Sequence, residues 1–281
     1  MLATNHKIAI ARGLSAIVVG LRRCCRLPAQ TTAIRRGVRW ELDLREGIDL
    51  SIYLLGGFEL RVLRKYRELV QPGDVVIDIG ANIGAHTIPL SRLVGDTGRV
   101  IACEPTSFAC EKLRANIAAN PHLADRITVH QAMLSSQGSD QLPDAIYSSW
   151  PLYSSEDLHE KHRGRLMSTA GATVTTLDEL VRSHQLSEVA LIKLDVDGHE
   201  YDVLRGGLET LRRLKPILIV ELAPYVHEGC QQRFDGMLRF LWEAGYRLSD
   251  VATGRQLPRD PAEIRRRIPP HAGISAIGTA A

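Results

Sequence analysis

Two acidic residues that follow buried apolar runs could bind a small polar ligand. Asp78 lies in the apolar run 74–79, and Glu104 closes the next run, residues 99–103. A glycine turn, residues 80–84, follows the first run, and glycine lets a backbone turn tightly and approach a ligand closely. An acid after the second of two parallel strands suits the two free hydroxyls of a ribose. This stretch therefore predicts a site for a nucleoside cofactor.

The glycine spacing indicates which end groups of the ligand are bound. Residues Gly80 and Gly84 form a GxxxG turn, whereas a dinucleotide fold would have GxGxxG. With no diphosphate to hold, the turn could bind the two ends of an amino acid. Asp78 would hold its ammonium, directly or through water, and Thr87 with the amides near Gly84 would hold its carboxylate at a helix N-terminus. A purely structural strand–turn–helix that includes Asn82 is the alternative.

Strand and helix patterns alternate from residue 75 onward. Five apolar runs have the length of strands, each followed by a helical pattern or a turn, and two further strands close the chain: 75–79, 99–103, 127–131, 189–194, 217–222, 246–250 and 274–277. Such alternation predicts an α/β fold with a Rossmann-like, doubly wound, mostly parallel seven-stranded sheet covered on both faces. The final pair would add an antiparallel member.

Residues 1–70 are expected to form an N-terminal extension of helix and hairpin, and residues 71–281 the catalytic domain. Residues 8–21 are apolar apart from Arg12 and Ser15, which is too short and too interrupted for a spanning helix. We expect an amphipathic helix that packs on the domain or a partner, with no stable membrane insertion; contact with a membrane surface is the alternative. Residues 38–55 partly alternate and predict a strand hairpin, and residues 59–70 predict a helix.

The stretch between the third and fourth strands has no clear period. Residues 135–172 are rich in Ser, Gly, His and Pro. A stretch that long inside a compact domain is usually a binding loop or a lid. We therefore expect it to cover the site.

Composition excludes some classes of function. The net charge is +3, from 35 basic and 32 acidic residues, and no long basic stripe is present, so a nucleic-acid partner is not expected. The five cysteines are odd in number and lack CxxC pairs, which indicates neither a zinc site nor a disulfide framework: Cys24, Cys25, Cys103, Cys110 and Cys230. Reduced thiols in a cytoplasmic protein are the expectation.

Several motifs in one order resemble a known family. The first two are similar to those of S-adenosylmethionine-dependent methyltransferases, and the later ones are similar to the FkbM family. The resemblance covers roughly residues 56–222. The residues that carry it are 76–84, 100–105, 175–178, 192–200, 203–206 and 216–222.

The resemblance implies a class I methyltransferase fold that uses S-adenosyl-L-methionine. The implied reaction is O-methylation of a hydroxyl on a sugar, a glycan or a secondary metabolite. Carried over by position, the methionine part of the cofactor is lined by Asp78, Gly80, Asn82 and Gly84, and the ribose by Glu104. Two departures, Ala85-His86 where an aromatic residue is frequent and His199 where a small residue is usual, point to substrate choice.

Transfer of a methyl group to a hydroxyl needs an aligned oxygen and a base that removes its proton. A general base typically contributes a factor of roughly 10²–10⁴ to the rate. Asp195, His199 and Glu221 are the candidates, and Asp195, which ends the fourth strand, is the first choice. Asp195 and Asp197 also suggest a magnesium site. Asp195 and Asp197 lie where the strand passes into a turn, so their side chains should diverge or point to opposite faces. No third oxygen ligand is evident, and we therefore expect no metal.

Other function classes remain as alternatives. An NAD-dependent oxidoreductase on a similar sheet conflicts with the GxxxG spacing. A noncatalytic protein that keeps the cofactor pocket is a second alternative. Nucleic-acid methylation is a third, but the sequence has neither an Asn-Pro-Pro-Tyr-like run nor a Pro-Cys pair. A homo-oligomer is left open.

Overall fold

A computed structural model of the chain describes residues 4–148, 150–153, 158, 164–227 and 230–280. The strands in this part of the chain are β1 (Gln30–Arg35), β2 (Val38–Asp43), β3 (Val75–Ile79), β4 (Arg99–Cys103), β5 (Ile127–His130), β6 (Ala132–Leu134), β7 (Ala145–Ser148), β8 (Arg165–Ser168), β9 (Thr173–Thr175), β10 (Leu191–Leu194), β11 (Ile217–Leu222), β12 (Tyr246–Asp250) and β13 (Ile274–Ala280). The helices are α1 (Thr4–Cys24), α2 (Gly47–Leu55), α3 (Leu60–Leu69), α4 (Thr87–Leu93), α5 (Ser107–Ala118), α6 (Pro121–Ala124), α7 (Leu177–Ser183), α8 (Glu200–Arg205), α9 (Leu208–Leu214), α10 (Gln231–Glu243) and α11 (Pro261–Arg267), with a 3₁₀ turn at Pro224–His227.

A seven-stranded sheet forms the centre of the molecule, in the order β12–β13–β11–β10–β3–β4–β5. The strands from β11 to β5 are parallel to one another, and β13 is antiparallel to both of its neighbours. The predicted doubly wound, mostly parallel seven-stranded sheet is confirmed, and its order is that of a class I methyltransferase. The antiparallel last pair was also expected.

Both faces of the sheet are covered, and alternate residues of β3 show how. Ile77 and Ile79 belong to the core beneath α7, α8 and α10, whereas Val76 packs with α3 and α4 on the opposite face. Parallel strands buried on both faces read as continuous apolar runs, which is why β3, β10 and β11 could be located from the sequence. Asp78 and Lys193 are the ionisable residues within β3 and β10.

The chain order creates a crevice between β3 and β10. From β3 the sheet grows outward through β4 to β5, and the chain then returns to β10 on the other side of β3. Helices leave in opposite directions at such a switch point, so the carboxyl ends of the two strands border an open cleft. Ligands of open α/β sheets bind at this position.

The N-terminal extension is held on the domain by two asparagine side chains, Asn116 of α5 and Asn120 at the start of α6. Asn120 accepts from the backbone amide of Arg39 at 2.9 Å, and Asn116 accepts from that of Glu41 at 2.8 Å. These bonds satisfy the free edge of β2, which would otherwise be left unpaired. Trp40 of the same strand packs with residues of α4 in one core. The boundary at residue 70 stays a prediction.

The hairpin predicted within residues 38–55 was wrong, although its first strand is present as β2. β2 pairs with β1, which precedes it, and Ile52, Tyr53 and Leu54 lie in α2 rather than in a strand. Ile52 is fully buried while Leu54 is exposed, which is the pattern of a helix packed on one side.

No helix in the described part of the chain has the length and apolar character needed to span a bilayer.

Two predicted helices differ from the observed ones for steric reasons. The helix expected at 84–93 begins at Thr87, because the turn before it holds Gly84 at φ +90°. The helix expected at 200–214 breaks between α8 and α9. A side chain at Gly206 would place a Cβ 2.1 Å from the backbone oxygen of Ser135, so the chain needs glycine where these segments cross.

The segment at 135–172 contains two short strands, β7 and β8, which pair antiparallel. The strands on either side of the segment, β6 and β9, pair in parallel. Ser149 and residues 154–157 and 159–163 lie outside the described residues. The described part of the expected covering loop thus includes a hairpin.

Candidate functional site

A cavity of about 380 Å³ opens at the carboxyl ends of β3, β4 and β10. Its size falls in the range of small-molecule and cofactor sites, roughly 300–1,000 Å³. β6 lines it, and so do Pro143 and the strand β7, which belong to the segment expected to cover the site. The residues that line it are Ile79, Gly80, Asn82, Cys103, Glu104, Pro105, Ala132, Met133, Leu134, Pro143, Ala145, Ile146, Tyr147, Ser148, Asp195, Val196, Asp197 and His199.

Gly80 forms the floor at the point where β3 ends. Its φ is +81°, and a Cβ on it would lie 1.8 Å from the backbone oxygen of Asp195. No side chain fits in this space, so the loops after β3 and β10 can touch only through glycine. The close contact places Asp195 directly beside the turn.

Asn82 and Glu104 are joined in a hydrogen-bond network on the other side of the turn. Asn82 has φ +47°, and its backbone amide donates to Glu104 Oε2 at 3.0 Å. The Thr106 hydroxyl and amide donate to Glu104 Oε1 at 2.6 and 3.0 Å. Burial raises the pKa of Glu104, and these three donors hold the increase down. Oε1 thus accepts two hydrogen bonds and Oε2 one, which leaves a lone pair on Oε2 for a ligand hydroxyl.

Asp78 and Thr87 lie behind the turn and do not line the cavity. The Thr87 hydroxyl donates to Asp78 Oδ2 at 2.6 Å, and both side chains are fully buried. Asp78 Oδ1 has no hydrogen-bond partner among the described residues, although Lys193 Nζ lies 3.8 Å away. Gly84 packs toward Leu113, whose Cδ1 would lie 2.7 Å from an added Cβ. Direct contact of these three residues with a ligand stays a prediction.

A second, smaller cavity of about 70 Å³ lies on the other side of Gly80. Both cavities are lined by Gly80, Asn82, Asp195 and Asp197. These four residues therefore form the border between them. The other residues of the second cavity are Ile48, Phe58, Glu59, Ala81, Ala85, His86, Trp150, Lys193 and Glu221.

Asp195 is held ionised. Burial pushes its pKa upward, but the ammonium of Lys193, 3.1 Å from Oδ2, outweighs that effect, and His86 and Glu221 act in the same direction. The pKa of Asp195 consequently lies below its usual value. Burial lowers the pKa of Lys193, but the negative charges of Asp195 and Asp78 raise it, and the net effect is an increase. Lys193 is only 3% exposed and stays charged.

Glu221 and Asp197 behave in the opposite way. Burial, and then the negative charges of Asp195 and Asp197, raise the pKa of Glu221 well above its usual value. In its protonated form Glu221 donates a hydrogen bond to Asp195. Burial and the charges of Asp195 and Glu200 raise the pKa of Asp197 to about 8. A single ionised carboxylate, Asp195, is therefore favoured on the border at neutral pH.

His199 lies at the rim of the first cavity. Its side chain is 48% exposed, and Nδ1 is 3.9 Å from Asp202 Oδ2. Partial burial lowers its pKa. The three residues proposed as bases are thus near one cleft, but Asp195 alone among them borders both cavities.

Sequence reasoning missed several residues of the second cavity as parts of a site. Lys193 could have been found, because a lysine inside an otherwise apolar strand must have a buried partner. His86 was noted only as a departure. Its Nδ1 lies 3.1 Å from the Tyr66 hydroxyl, and its Nε2 lies 3.3 Å from Glu59 Oε2, without the geometry of a hydrogen bond. Glu59 and Trp150 carried no signal, since they are distant in sequence from every motif. Within the described ranges no cluster of three His, Cys, Asp or Glu side chains could hold a metal ion.

Comparison with known proteins agrees with this geometry. The family model described as Methyltransferase FkbM domain matches residues 78–248. The hexuronic acid methyltransferase AglP of Haloferax volcanii is 29% identical over 57% of this chain and 61% of its own length. The 2-O-methyltransferase NoeI of Sinorhizobium fredii is 26% identical over 63% of this chain and 73% of its own. The chain thus spans about three fifths of the first of these relatives.

Solved structures of methyltransferases match much of the chain at low identity. The methyltransferase FkbM from Methylobacillus flagellatus is 17% identical, with a TM-score of 0.43, over 77% of this chain and 50% of that chain. The O-methyltransferase from Thermotoga maritima is 15% identical, with a TM-score of 0.45, over 93% of this chain and 81% of that chain. The family match covers more than half of the sequence and begins at Asp78 in the turn that builds the cavity. The chain belongs to the FkbM family of S-adenosylmethionine-dependent methyltransferases.

Proposed function

We propose that this chain transfers the methyl group of S-adenosylmethionine to a hydroxyl of a sugar, with Asp195 as the base. The observation that carries the proposal is the position of Asp195 on the border between a cofactor-sized cavity and a second, polar cavity. A reaction that joins two bound molecules needs its catalytic group at such a border. The family assignment supplies the type of reaction.

The larger cavity suits the proposed cofactor. Glu104 Oε2 offers an acceptor to a ribose hydroxyl, and the floor at Gly80 admits close approach of the ligand to the backbone. Apolar side chains such as Met133 and Leu134 form a wall suited to the adenine ring. The cofactor supplies an electrophilic methyl group on a sulfonium. Asp78 would act from behind the turn, where its Oδ1 makes no hydrogen bond among the described residues and Lys193 Nζ lies 3.8 Å away.

Asp195 fits the role of base better than the other two candidates. On methyl transfer the O–H bond of the acceptor would break and its proton would pass to the Asp195 carboxylate. The carbon–sulfur bond of the bound sulfonium would break as the carbon–oxygen bond forms, and its electron pair would stay on sulfur, so that the cofactor would leave as a neutral thioether. Glu221 holds its own proton at neutral pH and so cannot accept another, but it can orient Asp195 through their hydrogen bond. His199 is at the rim and does not line the second cavity.

The second cavity suits a sugar. Phe58 and Trp150 lie edge to face with ring centroids 5.6 Å apart, and they offer apolar surface to the C–H face of a pyranose. Glu59 and Asp195 offer acceptors for its hydroxyls. The names of the relatives AglP and NoeI, a hexuronic acid methyltransferase and a 2-O-methyltransferase, support a sugar acceptor.

The free thiols at Cys24, Cys25 and Cys230 are exposed, which supports a reducing, cytoplasmic location.

Calorimetric titration and methyl transfer test the proposal together. The protein should bind S-adenosylmethionine and not NAD, and it should label at least one member of a panel of hexuronides, neutral glycosides and polyketide-type alcohols with the radioactive methyl group. Asp195→Asn keeps the shape of the side chain and should lower turnover by about 10²–10⁴ while cofactor binding persists.

Asp125→Asn, a change at an exposed aspartate, is the matched control and should leave turnover unchanged. Heat with NAD and none with S-adenosylmethionine would contradict the proposal. Cofactor binding without transfer to any glycan or alcohol would instead indicate a noncatalytic binding protein. Full turnover by Asp195→Asn would remove Asp195 as the base and leave the cofactor assignment intact.

A further inference from the structure

Helix α1 has two apolar faces, and only one of them packs on the protein. On the inner face the Ser15 hydroxyl donates to the backbone oxygen of Leu44 at 2.6 Å, and Val18 and Val19 pack against the core of the extension. The outer face bears Ile10, Leu14, Ile17 and Leu21, which are 54%, 44%, 61% and 64% exposed. Their spacing of four, three and four residues places them in one stripe along the helix.

This stripe is part of an unusual concentration of exposed apolar side chains. Of the eleven large hydrophobic residues that are exposed in the described part of the chain, eight lie between residues 10 and 55. Beyond α1 they are Leu27, Ile34, Leu54 and Leu55. Single exposed apolar residues are ordinary, but a clustered set marks an interaction surface. The catalytic domain contributes only three, so the surface belongs to the extension.

The charge of the chain is divided in the same way. Residues 1–40 contain eight Lys and Arg and no Asp or Glu, whereas the rest of the chain contains 27 basic and 32 acidic residues. Arg23 and Arg26 are exposed at the end of α1, next in sequence to Leu21 and Leu27. A near-neutral total thus conceals a strongly basic first 40 residues, followed by a remainder with a small acidic excess. Basic residues that flank an apolar stripe are typical of helices that lie in the plane of a membrane.

We propose that α1 and the residues that follow it dock on the surface of an anionic lipid bilayer. The exposed stripe would enter the boundary between headgroups and acyl chains, and the flanking arginines would contact acidic headgroups. A second copy of the chain fits this face less well. Pairing two such helices would bring together segments that carry no acidic residue to offset their basic ones. The absence of a spanning helix from the described residues agrees with docking in the plane of the surface.

Flotation of the full-length protein with lipid vesicles tests the proposal. The protein should float with vesicles of phosphatidylcholine and phosphatidylglycerol and remain below with phosphatidylcholine alone, and salt should weaken the binding. Ile17→Ser with Leu21→Ser should reduce the partition coefficient about tenfold or more, because two apolar side chains are lost from the buried face. Arg23→Glu with Arg26→Glu should reduce it about tenfold or more as well.

Arg212→Glu with Arg213→Glu is the matched control. It makes the same change of charge at two exposed arginines of α9, on the catalytic domain, and should leave flotation unchanged. Circular dichroism and thermal melting of every variant establish that it is folded. Equal flotation of Ile17→Ser/Leu21→Ser and the unaltered protein would overturn the proposal. So would a concentration-dependent dimer in sedimentation that these substitutions abolish, with no binding to either vesicle.

Discussion

Lys193 Nζ lies 3.1 Å from Asp195 Oδ2, and the two residues are two positions apart at the end of β10. Alternate residues of a strand face the same side, so the strand itself brings the ammonium to the carboxylate. The second contact of Lys193, 3.8 Å to Asp78 Oδ1 on the neighbouring strand, ties the pair to β3. The ammonium of Lys193 therefore stabilises both the carboxylate of Asp78, behind the turn that borders the larger cavity, and that of the proposed base Asp195.

Replacing Lys193 by Met should impair both stability and catalysis. Two carboxylates, Asp78 and Asp195, would lose their counter-charge, which typically costs about 3–5 kcal/mol of folding free energy. Burial would then raise the pKa of Asp195, so the acid limb of the pH–rate profile should move to higher pH. Chemical denaturation and a pH–rate profile measure the two effects. The exposed-pair variant Lys65→Met should change neither, and an unaltered pH profile in folded Lys193→Met would contradict the electrostatic role.

Glu104→Gln should weaken cofactor binding and also lower the free energy of unfolding by about 1–3 kcal/mol, because the amide NH₂ must face a buried donor of Asn82 or Thr106. An amide in this position keeps one acceptor oxygen for Thr106 or Asn82 but loses the charge that strengthens bonds to ligand hydroxyls. The expected loss is about 2 kcal/mol, roughly thirtyfold in Kd, as for a hydrogen bond to a charged group. Isothermal titration with S-adenosylmethionine measures it. Glu243→Gln, at an exposed glutamate of α10, is the control, and equal affinity of both variants would remove Glu104 from the site.

Gly80→Ala tests the close contact between the loops after β3 and β10. Its Cβ would meet the Asp195 backbone oxygen at 1.8 Å, in addition to the strain at φ +81°. Gly254→Ala has a similar φ of +69° with nothing within 4 Å, so it isolates the backbone strain, about 1–2 kcal/mol. We expect Gly80→Ala to be clearly more destabilising than Gly254→Ala and to lose cofactor binding. Equal melting temperatures for the two variants would contradict the contact.

The free energy of unfolding should fall as pH rises from about 4.5 to about 7, because of the carboxyl group of Glu200. Burial raises the pKa of this carboxyl to about 7 from an ordinary value of 4.5, although the amides of Val196 and Gly198 donate to Oε1. The folded state thus binds the proton more tightly than the unfolded state. The stabilisation, of order 3 kcal/mol, is complete below pH 4.5 and is lost as pH rises to about 7.

Melting curves between pH 4.5 and 8 check the effect of Glu200. Glu200→Gln keeps an acceptor for the two amides and has no charge, so it should flatten the dependence on pH. Glu209→Gln, a side chain 61% exposed, should leave the dependence as in the unaltered protein. A slope that persists in Glu200→Gln would assign the pH dependence to another group, such as Asp197.

The sequence was sufficient for much of the fold because the central strands are buried on both faces. The apolar runs of β3, β4 and β11 were located within their observed bounds, since no polar residue can be tolerated there without a partner. Residues 38–55 were harder. Ile52, Tyr53 and Leu54 have side chains that suit strands, and the packing of α2 against the extension overrode that preference.

By itself the sequence determined the family, the strand–turn–helix at residues 78–87 and the acid after the second strand, because each of these depends on neighbours along the chain. Only the tertiary structure decided which side chains come together in the site. It placed Asp78 and Thr87 behind the turn, brought Trp150 and Glu59 to Asp195, and joined Lys193 to two carboxylates on different strands. Burial and distance set the charge of a side chain, and both arise only when segments far apart in sequence pack together.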